Sequence, residues 1–403
     1  MTDPLRVRVS GPLAPYARGF TAELERLGYA PTTAAQHVRL LAHLSDLLEA
    51  EGLDGRHVTP DLLARFSAAR RVAGYTHQRT ERALIPLGGY LRRLGIAPPL
   101  PPASLPETPV EELLARYRDY LVRERGLAAG TVYRCLRTAR HFLGAQTRDG
   151  ELELRGLTAA DVSAYVLGEC RRNARGQAKL VITELRSLLR FLHVDGLLES
   201  SLLGAVPSLA SWRLSGLPRA LEPGELDRLL QSCDRSRTVG QRAFAIVTLV
   251  GRLGLRRGEV AALRLADIDW RAGELVVRGK GDRHERLPLP ADVGEALVAY
   301  LRCDRAPGHE HVFLRVRAPH GPLTAYAVSA VVAAAGRRAG LAGRVGSHRL
   351  RHTAATEMLR AGTPLREIGQ LLRHRSSATT AIYAKVDREA LRSLARSWPG
   401  GVR

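Results

Sequence analysis

The sequence predicts a mainly α protein with two tandem small helical domains, followed by a mainly α domain that carries a small antiparallel β-sheet. Apolar residues recur at helical spacing through most of the 403 residues. The first two hundred residues contain one succession of helices and turns twice, and strand-like alternation is concentrated between residues 274 and 289. We place the domains at 1–100, 109–205 and 217–403.

The two N-terminal domains are predicted from matched positions. Turn and cap residues recur about one hundred residues apart, a period too regular for shared helix composition alone. The matched pairs are Gly28 with Gly126, Thr33 with Thr131, Thr59 with Thr158, Asp61 with Asp161, and Gly95 with Gly196. The proline-rich stretch Pro98–Pro109 between the copies is typical of a linker. We therefore expect a tandem duplication of one helical domain.

The charge of the chain indicates a nucleic-acid partner. There are 61 basic and 40 acidic residues, which gives a formal net charge of +21 and a pI near 10.8. Such an excess favours binding to a polyanion, most simply DNA or RNA, over a membrane surface. No apolar run reaches the roughly 18 residues that span a bilayer, and the first residues do not resemble a signal peptide, so we expect a cytoplasmic, nucleoid-associated protein.

Metal and disulfide chemistry are not expected. The four cysteines are scattered and include no Cys-x-x-Cys pair, which fits reduced thiols and argues against a zinc site. His309-Glu310-His311 places two histidines two residues apart without further ligands nearby, so it does not predict a metal site.

Lysine usage indicates where a proton donor could lie. Only Lys179, Lys280 and Lys385 are lysines, and all other basic residues apart from histidine are arginines. An ammonium can release a proton at accessible pH, whereas a guanidinium effectively cannot. Lys280 lies in the Gly-Lys-Gly-Asp turn of a predicted β-hairpin between strands 274–278 and 285–289. A plain turn lysine is the alternative interpretation.

The stretch from Ser347 to Tyr383 carries the strongest chemical pattern. His348 and Arg351 lie three apart, which on a helix puts both side chains on one face where they can reach one anion. His374 ends the following predicted helix, and Tyr383 comes nine residues later. Two imidazoles, a guanidinium and a phenol fit nucleophilic attack on a phosphodiester.

This stretch resembles the catalytic motif of the site-specific tyrosine recombinases, the phage-integrase family. That family typically shows His-x-x-Arg-His, then Leu-Gly-His, then Thr-Thr-x-x-Tyr. The usual Gly before the second His is Arg373 here. Because a Gly would suit a positive φ, we expect Arg373 to carry the cost of a non-Gly residue in that region.

An upstream segment extends the resemblance. Leu255-Arg256-Arg257-Gly258-Glu259 is similar to the family motif Gly-Leu-Arg-x-x-Glu and maps the first catalytic arginine to Arg256. Glu259, three residues later, would lie beside Arg256 and orient its guanidinium. A generic helical corner is the alternative. The family also places its catalytic lysine on the hairpin, which corresponds to Lys280.

The resemblance implies site-specific cleavage and rejoining of DNA through a 3′-phosphotyrosine intermediate. Tyr383 would be the nucleophile, Arg256, Arg351, His348 and His374 would stabilise the transition state, and Lys280 would protonate the leaving 5′-oxygen. No metal or nucleotide cofactor is implied. The reaction would integrate, excise or resolve a mobile element, with double-stranded recombination sites, a synaptic homotetramer and the element's other recombinases as candidate partners.

The resemblance also covers the second helical domain, which is similar to the SAM-like core-binding domain of the family. Its DNA contacts would be Arg171, Arg172, Arg175 and Lys179, unless these residues only form a solvated charged face. The apolar stripe over residues 390–398 would pack either within the chain or on a neighbouring protomer.

Two other functions share parts of this pattern. A type IB topoisomerase uses the same chemistry without pairing two sites, and the doubled helical module argues against it. A recombinase-derived DNA-binding factor without activity would not need every catalytic position, and all of them are present.

Overall fold

The computed structural model of this chain describes most of its residues. They are 7–100, 108–148, 151–207, 220–279, 284–303, 305, 308–374 and 376–386. The chain divides into two compact units, Leu100–Arg213 and a larger one made of Met1–Pro99 with Leu214–Arg403. Within the described ranges, no helix is long and apolar enough to cross a membrane.

The N-terminal part of the larger unit consists of four main helices. They are α1 (Ala17–Arg26), α2 (Pro31–Ala50), α3 (Pro60–Val72) and α4 (Glu81–Arg93). Apolar side chains at helical spacing, among them Phe20, Leu44 and Leu87, build one core between these helices. Thr59 begins α3 as its N-cap, where its hydroxyl accepts a hydrogen bond from the backbone N–H of Leu62.

The smaller unit has the same plan of helices. They are α5 (Pro109–Asp119), α6 (Ala129–Gly144), α7 (Ala159–Arg172) and α8 (Arg175–Val194), with a short hairpin of β1 (Thr147–Arg148) and β2 (Glu151–Leu152) between α6 and α7. Tyr117, Phe142 and Leu188 lie in its separate core.

The residues that the sequence pairs between the two helical segments take matching places. Thr158 caps α7 as Thr59 caps α3. Gly28 and Gly126 both have a positive φ, at 80° and 55°, after the first helix of each segment. Gly95 and Gly196 have φ of 70° and 73° after the last one. These matches support a duplication, while the division into three domains stays a prediction.

The C-terminal part of the larger unit contains the remaining helices and the main sheet. Its helices are α9 (Glu225–Gln231), α10 (Thr238–Leu253), α11 (Arg257–Ala262), α12 (Ala291–Leu301), α13 (Ala325–Arg338), α14 (Ser347–Arg360), α15 (Leu365–Leu371) and α16 (Ser377–Thr380). A 3₁₀ helix, Ala381–Val386, follows α16. Helix α10 contributes many of the apolar side chains of the core, which includes Ile246, Leu249 and Val250.

A three-stranded antiparallel sheet lies in this C-terminal part. Its strands are β3 (Ile268–Asp269), β4 (Glu274–Arg278) and β5 (His284–Pro288) in the order β3-β4-β5. Glu274 pairs with Pro288 and Arg278 with His284, so β4 and β5 form the predicted hairpin. The predicted mainly α fold with a small antiparallel sheet is confirmed.

Several sequence predictions fall outside the described residues. They concern Lys280, most of the Pro98–Pro109 linker, and the apolar stripe over residues 390–398.

One joint connects the first 99 residues to the C-terminal part within the larger unit. The backbone N–H of His320 donates to the carbonyl of Leu27 at 2.9 Å. A Cβ on Gly28 would lie 1.9 Å from the His320 ring. Gly28 is therefore needed both for its φ of 80° and for this close approach.

Candidate active site

Five of the predicted site residues line one cavity of about 790 Å³. They are Arg256, Glu259, His348, Arg351 and His374. Arg256 and Glu259 come from the corner between α10 and α11, and His348 and Arg351 from the first turns of α14. His374 comes from the turn after α15, three residues beyond the end of that helix. Val277, Gly279 and Glu285 of the β4–β5 hairpin line the same cavity.

The corner that carries Arg256 depends on Gly254. Helix α10 ends at Leu253, and Gly254 takes a left-handed φ of 60°. A Cβ at this position would lie 2.4 Å from a methyl group of Leu372. Because only glycine satisfies both conditions without strain, the chain turns sharply here and α11 begins directly after Arg256.

Glu259 holds Arg256, as the three-residue spacing predicts. Its carboxylate accepts a hydrogen bond from the backbone N–H of Arg256 at 2.8 Å and another from Arg256 Nη1 at 2.6 Å. Arg256 Nη2 donates to the carbonyl of Arg373 at 2.7 Å. The Arg256 side chain remains 40% exposed, so it can also meet a ligand in the cavity.

Arg351 is buried and fixed by backbone acceptors. Its two Nη atoms donate to the carbonyls of Gly254 and Leu372. Each Nη carries two hydrogens, so a second N–H on each atom remains for another acceptor. Burial and the nearby guanidinium groups of Arg256 and Arg373 lower the pKa of Arg351 to about 10, at which it still carries its charge at neutral pH.

The two predicted histidines are neutral in the free protein at neutral pH. Burial and the neighbouring Arg351 lower the pKa of His348. The same causes, together with Arg256, lower the pKa of His374 to about 4. His374 Nδ1 lies 2.8 Å from the hydroxyl of Thr380, which fixes the ring orientation.

Tyr383 lies beside this cavity and is only 1% exposed. Its ring stacks on that of His374, with centroids 6.3 Å apart and planes 5° apart. Its hydroxyl lies 2.8 Å from Nδ1 of His352. Burial raises the pKa of Tyr383, against a smaller opposing effect of the Arg351 charge, so the phenol keeps its proton at neutral pH.

The remaining predicted residues lie elsewhere. Lys280 falls outside the described residues, although Gly279 directly before it lines the cavity. The four predicted DNA contacts belong to the smaller unit. Arg171 and Arg172 are exposed at the end of α7, where Arg172 pairs with Glu169 at 2.8 Å. Arg175 begins α8, and Lys179 is half-buried one turn later.

Sequence reasoning did not assign a role to three residues of this site. Arg373 departs from the family motif and has no predicted role, yet it lines the cavity and pairs with Glu259 at 2.8 Å. His352 and Thr380 each contact a predicted site residue. The four-residue spacing from His348 to His352 on α14 was a usable signal for His352. The 114 residues between Arg373 and Glu259 left no such signal.

This arrangement suits an anion at its centre. Five arginines and two glutamates, Glu259 and Glu285, line the partly enclosed cavity and leave it with a net positive charge, and charge-assisted hydrogen bonds to phosphate are strong in such a setting. A buried phenol with a neutral imidazole on its hydroxyl adds a nucleophile and a proton acceptor. Among the described residues, no group of three or more His, Cys, Asp or Glu could hold a metal ion.

Comparison with known sequences finds relatives among integrases and tyrosine recombinases. Residues 219–390 match the model described as the phage integrase family. The integrase/recombinase y4rA of Sinorhizobium fredii is 39% identical over 399 residues, covering 97% of this chain and 95% of y4rA. The tyrosine recombinase XerD of Mycobacterium tuberculosis is 33% identical over 307 residues, covering 71% of this chain and 96% of XerD.

Solved structures share the fold. A lambda integrase tetramer bound to a Holliday junction covers 85% of this chain and 88% of its own, with a TM-score of 0.54 and 19% identity. The XerH recombinase in its post-cleavage complex with a palindromic difH substrate covers 73% of this chain and 98% of its own, with a TM-score of 0.55 and 19% identity. The near full-length similarity to y4rA and the family match over the cavity residues establish that this chain belongs to the phage integrase family of tyrosine recombinases.

Proposed function

We propose that this protein cuts DNA strands at specific sites and rejoins them through a covalent 3′-phosphotyrosine on Tyr383. The observation that carries the proposal is the placement of Tyr383 against His374, at the edge of the cavity lined by Arg256, His348 and Arg351. A scissile phosphate in that cavity would meet guanidinium groups that are already fixed by protein acceptors. Such preorganised donors are usually the largest contribution to this kind of catalysis.

The proposed cleavage step moves one proton from Tyr383 to His352 and another from Lys280 to the leaving 5′-oxygen. The Tyr383 oxygen attacks phosphorus while its proton passes to Nδ1 of His352, which is 2.8 Å away and neutral because burial lowers its pKa. The bond from phosphorus to the 5′-oxygen breaks, and Lys280 gives that oxygen a proton. The non-bridging oxygens accept hydrogen bonds from Arg256 and Arg351, with His348 and His374 as further donors.

Rejoining is the reverse of cleavage. The 5′-hydroxyl of a partner strand gives its proton to Lys280 and attacks the phosphotyrosine, and the phenol leaves with the proton from His352. One phosphodiester bond replaces another at each stage, so the proposed reaction needs no nucleotide or metal.

The proposed assembly is a tetramer that pairs two DNA sites and is found with the nucleoid. The lambda integrase tetramer on a Holliday junction, which shares this fold, supports such a synaptic complex. The integrase/recombinase names of the relatives fit a mobile element whose other recombinases act as partners. The smaller unit would grip the duplex through Arg171, Arg172, Arg175 and Lys179.

The test uses nicked duplexes tiled across the DNA on both sides of the protein's own gene. A nick near the cleavage point releases a short fragment and traps the covalent complex. We expect a denaturant-resistant adduct with the wild-type protein and none with Tyr383→Phe, which should still bind the duplex. Tyr326→Phe is the matched control because that ring is 75% exposed on α13.

Two further substrates, a pair of intact duplexes and a supercoiled plasmid that carry the same sites, separate the alternatives. Strand exchange between two duplexes supports recombination, whereas relaxation of supercoiled plasmid without exchange would indicate a topoisomerase. Specific binding without any adduct would indicate an inactive DNA-binding factor. An adduct that persists in Tyr383→Phe would contradict the assignment of the nucleophile.

A further inference from the structure

The most unusual residue of the cavity is Arg373, whose φ is 54°. L-residues other than Gly, Asn and Asp rarely take this conformation, because Cβ crowds the backbone. The side chain is also 4% exposed, so a charged group is kept out of water. Its Nε has no hydrogen-bond partner within the part of the chain that the structure describes. Such a combination of local costs at a cavity points to a function for the side chain.

Arg373 contacts Arg256 in two ways, directly and through Glu259. Its Nη2 donates to Glu259 Oε2 at 2.8 Å, while Arg256 Nη1 donates to the other oxygen, Oε1, at 2.6 Å. The Arg373 carbonyl accepts a hydrogen bond from Arg256 Nη2 at 2.7 Å. Arg373 therefore fixes both ends of the Arg256 guanidinium, one through Glu259 and the other through its own backbone.

The charges of this trio explain why a second guanidinium matters. A carboxylate that pairs with one arginine largely cancels the charge of that arginine. Glu259 is shared between two guanidinium groups, so the trio keeps a net charge of one positive unit beside the cavity. Burial alone would raise the pKa of Glu259, but the Arg373 charge and the hydrogen bonds from both arginines bring it below its ordinary value, so the carboxylate stays ionised.

We propose that Arg373 is a positioning residue: it holds Glu259 so that Arg256 keeps both its orientation and its charge for the scissile phosphate. The proposal rests on the proposed function, because it assigns Arg256 to the phosphate. It also gives a physical reason for an arginine at a position where the resemblance leads one to expect glycine. An arginine that was merely tolerated would be replaced by glycine without loss of rate.

Arg373→Gly tests these two cases against each other. Glycine relieves the left-handed backbone and removes the guanidinium. With the nicked duplexes described above, we expect the single-turnover rate of adduct formation to fall about 10- to 100-fold, the usual range for loss of an orienting partner. Equilibrium binding to the same duplexes should stay within about twofold, since the phosphate contacts of the rest of the protein remain.

Gln78→Gly is the matched control. Gln78 has a φ of 48° and is the other non-Gly residue with positive φ among those described. The substitution relieves the same kind of backbone strain at a position outside the cavity. The variant should therefore form adduct at the rate of the wild type. Arg373→Lys keeps a positive charge without the planar fork, so its rate should lie between those of Arg373→Gly and the wild type.

A double-mutant cycle tests the route through Glu259. If Arg373 acts through this carboxylate, Arg373→Gly should cost much less in a Glu259→Gln background than in the wild type. Equal losses in both backgrounds would overturn the proposal, and so would an Arg373→Gly protein that forms adduct at the wild-type rate. If Arg373→Gly does not fold, a folded Arg373→Lys at the wild-type rate would overturn it instead. Absence of any adduct with the wild type would contradict the proposed function itself.

Discussion

The stability of the C-terminal part of the larger unit should fall in mild acid because the histidines of the cavity are held neutral. His374 has a pKa of about 4 in the folded protein, against an ordinary value of 6.5. Between these two values the unfolded chain binds a proton that the folded chain does not. The free energy of unfolding therefore decreases as the pH drops below about 6.5, and this decrease levels off below about 4.

The magnitude follows from the same two pKa values. Proton linkage gives a loss of about 2 kcal/mol from His374 alone between about pH 7.5 and about pH 5. The ring is only half-buried, and screening by solvent should reduce this to about 1 kcal/mol. His348 and His352, whose pKa values are also lowered, add losses of the same sign.

The assay compares wild-type protein with His374→Asn in urea unfolding at the two pH values. The fluorescence of Trp270 reports on the C-terminal part when Trp212 and Trp398 are replaced by phenylalanine. On acidification, the free energy of unfolding of the variant should fall by about 1 kcal/mol less than that of the wild type, because asparagine takes up no proton. His77→Asn, at an exposed position outside the cavity, should leave the acid loss unchanged. Equal acid losses in the wild type and in His374→Asn would refute the reasoning.

Four further predictions concern other parts of the molecule. His352→Phe should slow adduct formation at neutral pH and remove the decline of the rate that protonation of His352 causes in acid. Lys280→Ala should be slow on normal DNA but nearly as fast as wild type on a 5′-bridging phosphorothiolate, whose leaving group needs no proton. Gly28→Ala should destabilise the larger unit by about 1–3 kcal/mol more than Gly126→Ala destabilises the smaller one, because only the first meets a neighbouring side chain. Arg171→Ala should reduce the log–log salt dependence of duplex binding by about 0.9, the value for one phosphate contact.

Each of these has an outcome that would contradict it. An unchanged pH–rate profile in His352→Phe would exclude this histidine as the proton acceptor. Equal impairment of Lys280→Ala on both substrates would assign the lysine to binding. Equal shifts of the melting temperature in the two glycine variants, measured by calorimetry, would show that the joint with His320 contributes little to the stability of the larger unit. An unchanged salt slope for Arg171→Ala would place that side chain on a solvated face.

The mainly α fold and five of the fifteen residues that line the cavity could be predicted because their signals are local. Helical spacing of apolar residues decides which face is buried, and turn residues decide where each helix ends. The pairing of Arg256 with Glu259 spans three residues. Arg256 is the N-cap of α11 and Glu259 reaches back to its backbone N–H, as in a capping box, so this contact follows from local sequence. The β4–β5 hairpin follows from strand-like alternation on both sides of a glycine turn.

The contacts that complete the site were decided only by tertiary structure. Arg351 reaches the carbonyl of Gly254 across 97 residues, Arg373 reaches Glu259 across 114, and His352 reaches Tyr383 across 31. Residues this far apart in the sequence meet only when α10, α14 and α15 pack against one another. The periodicity of apolar residues predicts which face of a helix is buried, but it does not predict which helix covers that face. The sequence by itself therefore predicted the candidate catalytic groups, whereas the packing of the helices decided which carboxylate, carbonyl and imidazole contact them.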